Sequence, residues 1–451
     1  MDVLTLARLQ FAVTIGFHYL FPPLSIGLGF ILVVMEGTYL ATGRPLYHAM
    51  TRYWVKIFGL MFAIGVATGI VMEFQFGTNW AAYSRFVGDV FGSALAAEGI
   101  FAFFLESGFL ALLLFGWERV SAKTHFFATV MVSLGSIFSA VWIIVANSWQ
   151  QTPAGYHLVD TASGKRAEVS SYMEVIFNPS TLDRLTHVLL AAFQTGAFLV
   201  ISVSAFYLLK NRHRDFASAS LKIGLLVVFF ASPLQLVTGH SSAVGVARTQ
   251  PTKLAAFEGH YEDGTPGALH LFGWVNERSE HVDFSLAIPG MLSWLVSGDF
   301  QKPLTGLRAF PAADRPPVNV VFQTYHAMVF VGFSLSMLTG LGAYFWKRRR
   351  LAEARWLLWL YVFAVGLPQI ANQLGWMSAE LGRQPWIVYG LLRTKDGLSK
   401  VVGAGETLAS LVLFSIVYLL LFAMFIYLLD HKIRQGPAEE DFKIAEKATR
   451  P

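Results

Sequence analysis

Cysteine is absent from this chain of 451 residues. Without thiols the chain can form no disulfide, no thiolate zinc site and no cysteine-ligated iron–sulfur cluster. A metal held by this chain must therefore be bound by histidine, methionine or carboxylate side chains.

Charged residues are also scarce. They make up 14% of the chain, whereas hydrophobic residues make up 55%. Soluble globular proteins carry about 25% charged residues, so this composition indicates a polytopic membrane protein. The net charge of +5 gives no indication of nucleic-acid binding. The sequence lacks a P-loop, a Rossmann glycine pattern and an HExxH motif, which excludes three common classes of nucleotide and zinc enzymes.

Nine apolar stretches are long enough to cross a membrane, which takes about 20 residues. The first is longer than the apolar region of a signal peptide, so we expect a span there and not a cleavable leader. The fold class predicted is an all-α, polytopic membrane helical bundle that forms one domain over residues 1–451. The predicted spans are roughly 13–40, 54–76, 94–116, 126–147, 184–209, 219–238, 320–346, 356–377 and 406–429.

Basic residues predict the orientation of the bundle, because short cytoplasmic loops are rich in Lys and Arg. With nine spans, all the basic loops fall on one side. The N-terminus is then outside and the C-terminus cytoplasmic. The basic residues are Arg44 and Arg52; Arg119 and Lys123; Lys210, Arg212 and Arg214; Lys347, Arg348, Arg349, Arg350 and Arg355; and Lys432 and Arg434.

The longest outer connection is residues 239–319. A loop of this length is usually functional or disordered. Its segment 249–259 (TQPTKLAAFEG) predicts a short helix, and residues 298–317 look like the looser half. Lys253 and Glu258 lie in that helix, and on composition alone a solvated charge pattern is the better explanation of the two residues.

Several residues with metal-ligating or acidic side chains fall in the outer third of the membrane. They are His18, His187, Met328, Glu98 and Glu380. Imidazole and thioether form a known axial pair for low-spin haem, and a lone imidazole or carboxylate leaves an iron position open for oxygen chemistry. Taken singly, each histidine can be a packing residue and the methionine a gap-filler.

Glu98 and Glu106 share one span. In an unbroken α-helix they are about 12 Å apart along the axis and about 80° apart around it. Two acids at different depths suit a proton relay, which Ser107 and Ser139 could extend. The alternative is a pair of protonated structural acids.

Residues 375–386 (GWMSAELGRQPW) end the eighth span, where Pro385 forbids continuation of the helix. Glu380 and Arg383 therefore lie at its last turn, bracketed by Trp376 and Trp386. Charges there are costly unless they face protein, water or a cofactor, although an interface-anchoring salt bridge is the alternative.

Together these motifs resemble subunit I of the cytochrome bd-type quinol oxidases, over nearly the whole chain. The matching segments are Arg8–Phe11 with His18, 65–69 (GVATG), 73–80 (EFQFGTNW), Glu98 and Glu106, Asn147, His187, 253–258 (KLAAFE), Met328 and 375–386.

The resemblance implies three haems near the outer face. His187 and Met328 match the axial ligands of a low-spin haem b. His18 and Glu380 match ligands of two high-spin haems, with haem d favoured on His18 and haem b on Glu380. Glu98 matches a residue beside the high-spin pair, with a role as a second ligand as the alternative, and Glu106 matches the proton-channel acid. Trp376 and Arg383 match residues beside the haems, and Lys253 and Glu258 match the quinol-binding loop.

The activity implied is that of a terminal respiratory oxidase. Ubiquinol or menaquinol is oxidised at the outer loop 239–319, and O₂ is reduced to water with cytoplasmic protons. Opposite-side release and uptake then generate a proton motive force without a pump. The family also implies a homologous subunit II, a small single-span subunit and a location in the bacterial cytoplasmic (inner) membrane.

Two departures from the family pattern stand out. His326 occupies a position that is often Arg, and His240 one that is commonly acidic. These features and the short loop resemble the cyanide-insensitive branch, in which haem b in place of haem d is the alternative. Two other functions fit the sequence less well. A dihaem quinol-binding anchor subunit of a dehydrogenase needs paired histidines, and a haem-free transporter needs polar residues near the midplane.

Overall fold

The computed structural model describes residues 2–162, 164–438 and 441–442. Within this part of the chain, nine helical segments are long and apolar enough to cross a membrane, which confirms the all-α bundle. The helices are α1 (Val3–His18), α2 (Phe21–Thr42), α3 (Pro45–Thr78), α4 (Ala81–Glu98), α5 (Phe104–Phe115), α6 (Ala122–Gln151), α7 (Tyr172–Ile176), α8 (Thr181–Leu209), α9 (Arg214–Thr249), α10 (Pro251–Glu258), α11 (Met291–Ser297), α12 (Val318–Lys347), α13 (Arg355–Phe363), α14 (Leu367–Leu381) and α15 (Ala404–Gln435).

Three of the spans are broken helices, which hydropathy did not predict. The first is divided at Tyr19 and Leu20, just before Pro22 and Pro23, which have no N–H to donate. The third begins at Ala81, well before the expected start, and contains a π-turn over Gly99–Phe103. The eighth changes to a 3₁₀ turn over Ala364–Gly366.

The outer connections contain small antiparallel hairpins that the sequence did not predict. Residues 298–317, expected to be the looser half of the long loop, are tied down because Arg308 and Arg315 both pair with Glu280 at 2.7 Å. The paired strands are β1 (Tyr156–Thr161) with β2 (Gly164–Val169), β3 (Thr265–Pro266) with β6 (Pro303–Leu304), β4 (Leu269–Asn276) with β5 (His281–Ile288), and β7 (Trp386–Val388) with β8 (Leu392–Arg393). The predicted loop helix is present as α10.

The α8 helix forms the centre of the bundle and packs against α2, α9 and α13. In its most apolar stretch 72% of the residues are buried, against 11% in α15, which therefore lies at the periphery. The α2 and α8 backbones touch at Gly27 and Gly196. A Cβ on Gly27 would lie 2.7 Å from the Gly196 nitrogen, and one on Gly196 would overlap the backbone of Gly27 and Leu28. Small residues at such a crossing allow membrane helices to approach closely.

The basic loops meet at one end of the bundle. Arg212 donates to the Arg434 carbonyl at 2.9 Å, and the Tyr207 hydroxyl donates to the Ile433 carbonyl at 2.6 Å. The hydroxyls of Tyr53 and Tyr207 are 2.8 Å apart. These contacts join the ends of α3, α8 and α15, as the parity of nine spans requires.

The helix crossing gives a stability prediction. Gly196→Ala should destabilise the protein by about 1–3 kcal/mol, because the added methyl group overlaps the α2 backbone. Gly332→Ala is the matched control, since a Cβ there meets no atom within 4 Å. Thermal unfolding in detergent should show a lower Tm for the first variant alone. Equal Tm values would contradict the close approach.

Candidate functional site

The carboxylate of Glu380 is held at the end of the bundle opposite the basic loops. One of its oxygens accepts hydrogen bonds from Asn147 at 3.1 Å and from Gln151 at 3.2 Å. The other oxygen accepts from Arg383, one helical turn further on. The last turns of α6 and α14 are therefore fastened together around one negative charge.

Lys253 joins the same network from the outer loop. Its side chain is buried, and its amine donates to Gln151 and, at 2.6 Å, to the Oε1 atom of Gln250. Gln151 thus contacts both Lys253 and Glu380. Burial, together with the positive charges of Arg184 and Arg383, holds the pKa of Lys253 well below its usual range. Burial thus favours the neutral amine, which can accept a proton.

Positive charge exceeds negative charge in this network. Arg184 donates to Asn147, and its Nε atom is buried without a hydrogen-bond partner among the described residues. Even with Lys253 neutral, the two guanidinium groups of Arg184 and Arg383 face the single carboxylate of Glu380. An additional anionic group would be stabilised here.

His18 and His187 are each fixed by a threonine on a neighbouring helix. The Nδ1 atom of His18 is 3.0 Å from the Thr68 hydroxyl, which itself donates to the Ile64 carbonyl at 2.9 Å. Since that hydroxyl proton is already used, His18 Nδ1 must be the donor and Nε2 keeps its lone pair.

His187 repeats this arrangement. Its Nδ1 atom is 3.1 Å from the Thr238 hydroxyl, which donates to the Gln235 carbonyl at 3.3 Å. The Gln235 amide nitrogen lies 2.9 Å from His187 Nε2 and 3.2 Å from Nδ1, so it is placed over the ring and not along the Nε2 lone pair. Both imidazoles therefore present Nε2 as an electron donor.

Glycines lie against the three candidate nitrogen and sulfur ligands. A Cβ on Gly69 would be 3.2 Å from His18, and one on Gly239 would be 3.3 Å from His187. A Cβ on Gly375 would be 2.8 Å from the Met328 sulfur. Sequence reasoning missed Thr68 and Thr238; the signal was the repeated Thr-Gly dipeptide opposite each histidine.

Glu98 and Glu106 both face α6. Glu98 accepts a hydrogen bond from Ser139 at 2.9 Å. Glu106 is buried and packs against Gly135 of α6. The π-turn between the acids uses one residue more than an α-turn, so the 80° of an unbroken α-helix does not apply, and both acids face α6.

Two other predicted residues make fewer contacts. Ser107 is exposed, and its hydroxyl donates to the Phe103 carbonyl of its own helix at 2.5 Å. Trp376 is half-buried on α14. A role for either residue stays a prediction.

Glu258 lies in the loop, buried at the end of α10. Its Oε2 atom has no hydrogen-bond partner within the described part of the chain and is 3.9 Å from His326 Nε2. Burial raises the pKa of Glu258 to about 8. Beside it the rings of Phe257 and Tyr325 stack with centroids 4.4 Å apart, which fixes α10 on α12.

The comparison with protein families decides the identity of this bundle. The family model described as cytochrome bd terminal oxidase subunit I matches residues 6–437. The chain belongs to this family.

Similar proteins align with this chain over nearly their full lengths. A cytochrome bd ubiquinol oxidase subunit 1 of Bacillus subtilis (strain 168) is 39% identical, with 98% of this chain and 95% of that protein covered. A cytochrome bd-II ubiquinol oxidase subunit 1 of Escherichia coli (strain K12) is 35% identical, with 97% of each covered. The structure of bd oxidase from Geobacillus thermodenitrificans matches with a TM-score of 0.88 at 28% identity, covering 97% of this chain and 99% of that one.

The donor set fits haem, the cofactor that the cytochrome bd family implies. No group of three or more His, Cys, Asp or Glu side chains that could hold a metal ion occurs among the residues described. Haem needs only one or two axial ligands from the protein, because the porphyrin supplies the other four. Separate imidazole, thioether and carboxylate donors meet this need, and the surplus positive charge near Glu380 suits propionate groups.

Met328 gives a direct spectroscopic prediction for this site. Met328→Leu keeps the volume of the side chain but removes the sulfur, so the low-spin haem signal should disappear from the reduced-minus-oxidised spectrum. Met337→Leu on the same helix is the control, because Met337 is exposed. An unchanged low-spin signal in Met328→Leu would refute the ligand assignment.

Proposed function

We propose that this chain is the catalytic subunit of a terminal oxidase that transfers electrons from quinol to O₂ and forms water. One observation carries the proposal: Gln151 contacts both Lys253 of the outer loop and Glu380 at the end of α14. A quinol site and a haem site joined by one amide suit direct electron transfer between them. Family membership favours this function over the dihaem anchor subunit.

The bound haems would supply electron transfer and the reduction of O₂. His187 and Met328 would hold a low-spin haem b. His18 and Glu380 would hold the high-spin pair, with haem d on His18 and haem b on Glu380, and haem b in place of haem d as the alternative. Arg184 and Arg383 would neutralise propionates, with Trp376 beside them. Thr68 and Thr238 keep Nε2 of the two histidines free for iron.

Lys253 and Glu258 would accept the two protons of the quinol. Lys253 is suited to this task because its pKa is lowered, and Glu258 because its pKa of about 8 lets it bind and release a proton near neutral pH. Both lie on α10, in the loop 239–319 that we assign to quinol binding. Released protons then leave on the outer side.

Protons for water formation would come from the opposite side. Glu106 and Glu98 would form the inner part of that path together with Ser139 of α6, which donates to Glu98, and Ser107 remains a candidate member. Uptake on one side and release on the other separate charge without a pump. This arrangement requires the N-terminus outside and the basic loops in the cytoplasm.

The subunit would work in the bacterial inner membrane with a homologous subunit II and a small single-span subunit. The α15 helix and the π-turn region expose large apolar side chains, including Phe101 and Phe104, which would contact these subunits or lipid. Relatives are named both as ubiquinol oxidases and, for one from Bacillus subtilis, as a putative menaquinol oxidase. Assays should therefore use both quinols.

Purified complex tests the proposal directly. We expect haem bands in the reduced-minus-oxidised spectrum and oxygen consumption with ubiquinol or menaquinol analogues. A far-red chlorin band would establish haem d. If only b-type bands appear and oxygen consumption is intact, haem b occupies the site otherwise assigned to haem d. A complex without haem or oxygen consumption would overturn the function.

The raised pKa of Glu258 predicts a pH dependence. Below about pH 8 the carboxyl is protonated and cannot accept a proton, so oxygen consumption at limiting quinol should rise with pH towards 8. Glu258→Gln should remove this rise and slow turnover by about a hundredfold, the typical loss on removing a general base. Glu262→Gln serves as the control, since Glu262 is an exposed partner of Arg308. A Glu258→Gln profile that still rises would exclude Glu258 as the acceptor.

A further inference from the structure

A buried Glu36–His125 pair lies at the basic end of the bundle, far from the residues assigned above. Both side chains are 2% exposed, and His125 Nδ1 is 2.6 Å from Glu36 Oε1. His125 Nε2 lies 3.2 Å from the Leu113 carbonyl, to which it must donate. The short bond therefore carries a proton in either state, as imidazolium with carboxylate or as imidazole with carboxylic acid.

The pair lies close to the surface of this end. The ring of Trp117 packs on His125 with centroids 3.8 Å apart, and Arg52 lies over the same ring. Trp117 belongs to the short link between α5 and α6, in which Glu118 and Arg119 are exposed. The exposed carboxyl of Glu118 is thus the neighbour of Trp117, the ring that covers the Glu36–His125 pair.

On the inner side, the α6 helix continues from the pair as a line of hydroxyl groups. Thr129 donates to Glu36 Oε2 at 2.5 Å. Ser133 and Ser136 follow at intervals of four and three residues, and both are buried. With His125 and Thr129 they occupy a sector of about 80° of the helix surface. The Ser136 hydroxyl donates to the Val132 carbonyl at 3.3 Å, and Ser136 is next to Gly135, against which Glu106 packs, so the line ends beside the proton-path acid.

Small residues accompany this line of hydroxyls. Gly29 of α2 faces Ser133, where a Cβ would come within 3.5 Å of its hydroxyl, and Gly135 of α6 faces Glu106. Neighbouring hydroxyls one turn apart are separated by about 5–6 Å, which a single bridging water spans. A structural role alone explains this arrangement poorly, because apolar residues would pack here without the desolvation of an ionisable pair.

We propose that Glu36 and His125 form the proton intake of the oxidase, and that Thr129, Ser133 and Ser136 conduct protons along α6 to Glu106. The inference rests on the proposed function. Each O₂ reduced to two waters consumes four electrons, supplied by two quinols, and four protons. Those protons enter at the pair and pass from hydroxyl to hydroxyl, while the quinol protons leave at the outer loop.

Thr129→Val is the decisive variant, because it removes one hydroxyl and keeps the shape and the Glu36–His125 bond. In the purified complex we expect oxygen consumption to fall about tenfold and its solvent deuterium isotope effect to rise, since proton transfer becomes limiting. Haem content and the anaerobic rate of haem reduction by quinol should be unchanged. Thr129→Ser should restore the rate.

Thr51→Val is the matched control. Thr51 is also fully buried at this end, but its hydroxyl donates only to the Tyr47 carbonyl of its own helix at 2.8 Å, so oxygen consumption should be unaffected. Glu36→Gln should slow the same proton-coupled step as Thr129→Val.

Full oxygen consumption with an ordinary isotope effect in Thr129→Val would overturn the intake. Equal slowing in Thr51→Val would do the same, because the effect would then be structural. Failure of the proposed function is distinguishable, since the wild-type complex itself would then lack haem or consume no oxygen.

Discussion

The structure depends on burying the Glu380 carboxylate among hydrogen-bond donors. A charge in the membrane is stable only when it is paired or hydrogen-bonded. Here the partners lie on three different elements: Asn147 and Gln151 on α6, Arg383 just beyond α14, and Lys253 on α10, which reaches Glu380 through Gln151. Removing one partner of such a buried pair typically costs about 3–5 kcal/mol. The charge therefore fixes the outer loop on the bundle as well as the last turn of α14.

A second constraint is the fixed orientation of the two imidazoles. His18 and His187 lie in different parts of the bundle, yet each meets a Thr-Gly pair in which the hydroxyl fixes the tautomer and the glycine admits the ring. The hydroxyls of Thr68 and Thr238 donate to backbone carbonyls of their own helices, so both donors have a hydrogen-bond partner. Two independent occurrences of one arrangement support the proposed role of both imidazoles as ligands.

Hydropathy was sufficient to predict the nine spans, because a membrane leaves few alternatives to an apolar helix. It could not predict the break at Tyr19–Leu20 or the π-turn of Gly99–Phe103, since both keep the apolar composition and alter only the hydrogen-bond pattern. Candidate site residues were recognisable because His, Glu and Arg are rare in such segments. Gln151, Thr68 and Thr238 were missed, because amides and hydroxyls are common in membrane helices and acquire meaning only from their partners.

The α6 helix connects the two sides of the proposed reaction. His125 lies at its first turn and Gln151 at its end, a separation of about 39 Å along the axis. Between them, Ser139 donates to Glu98, and Gly135 packs against Glu106. Proton uptake and the quinol-linked network are therefore attached to one rigid element, at opposite faces of the bundle. Because the two proposed proton sites lie at opposite ends of one helix, charge separation follows from the positions of these residues.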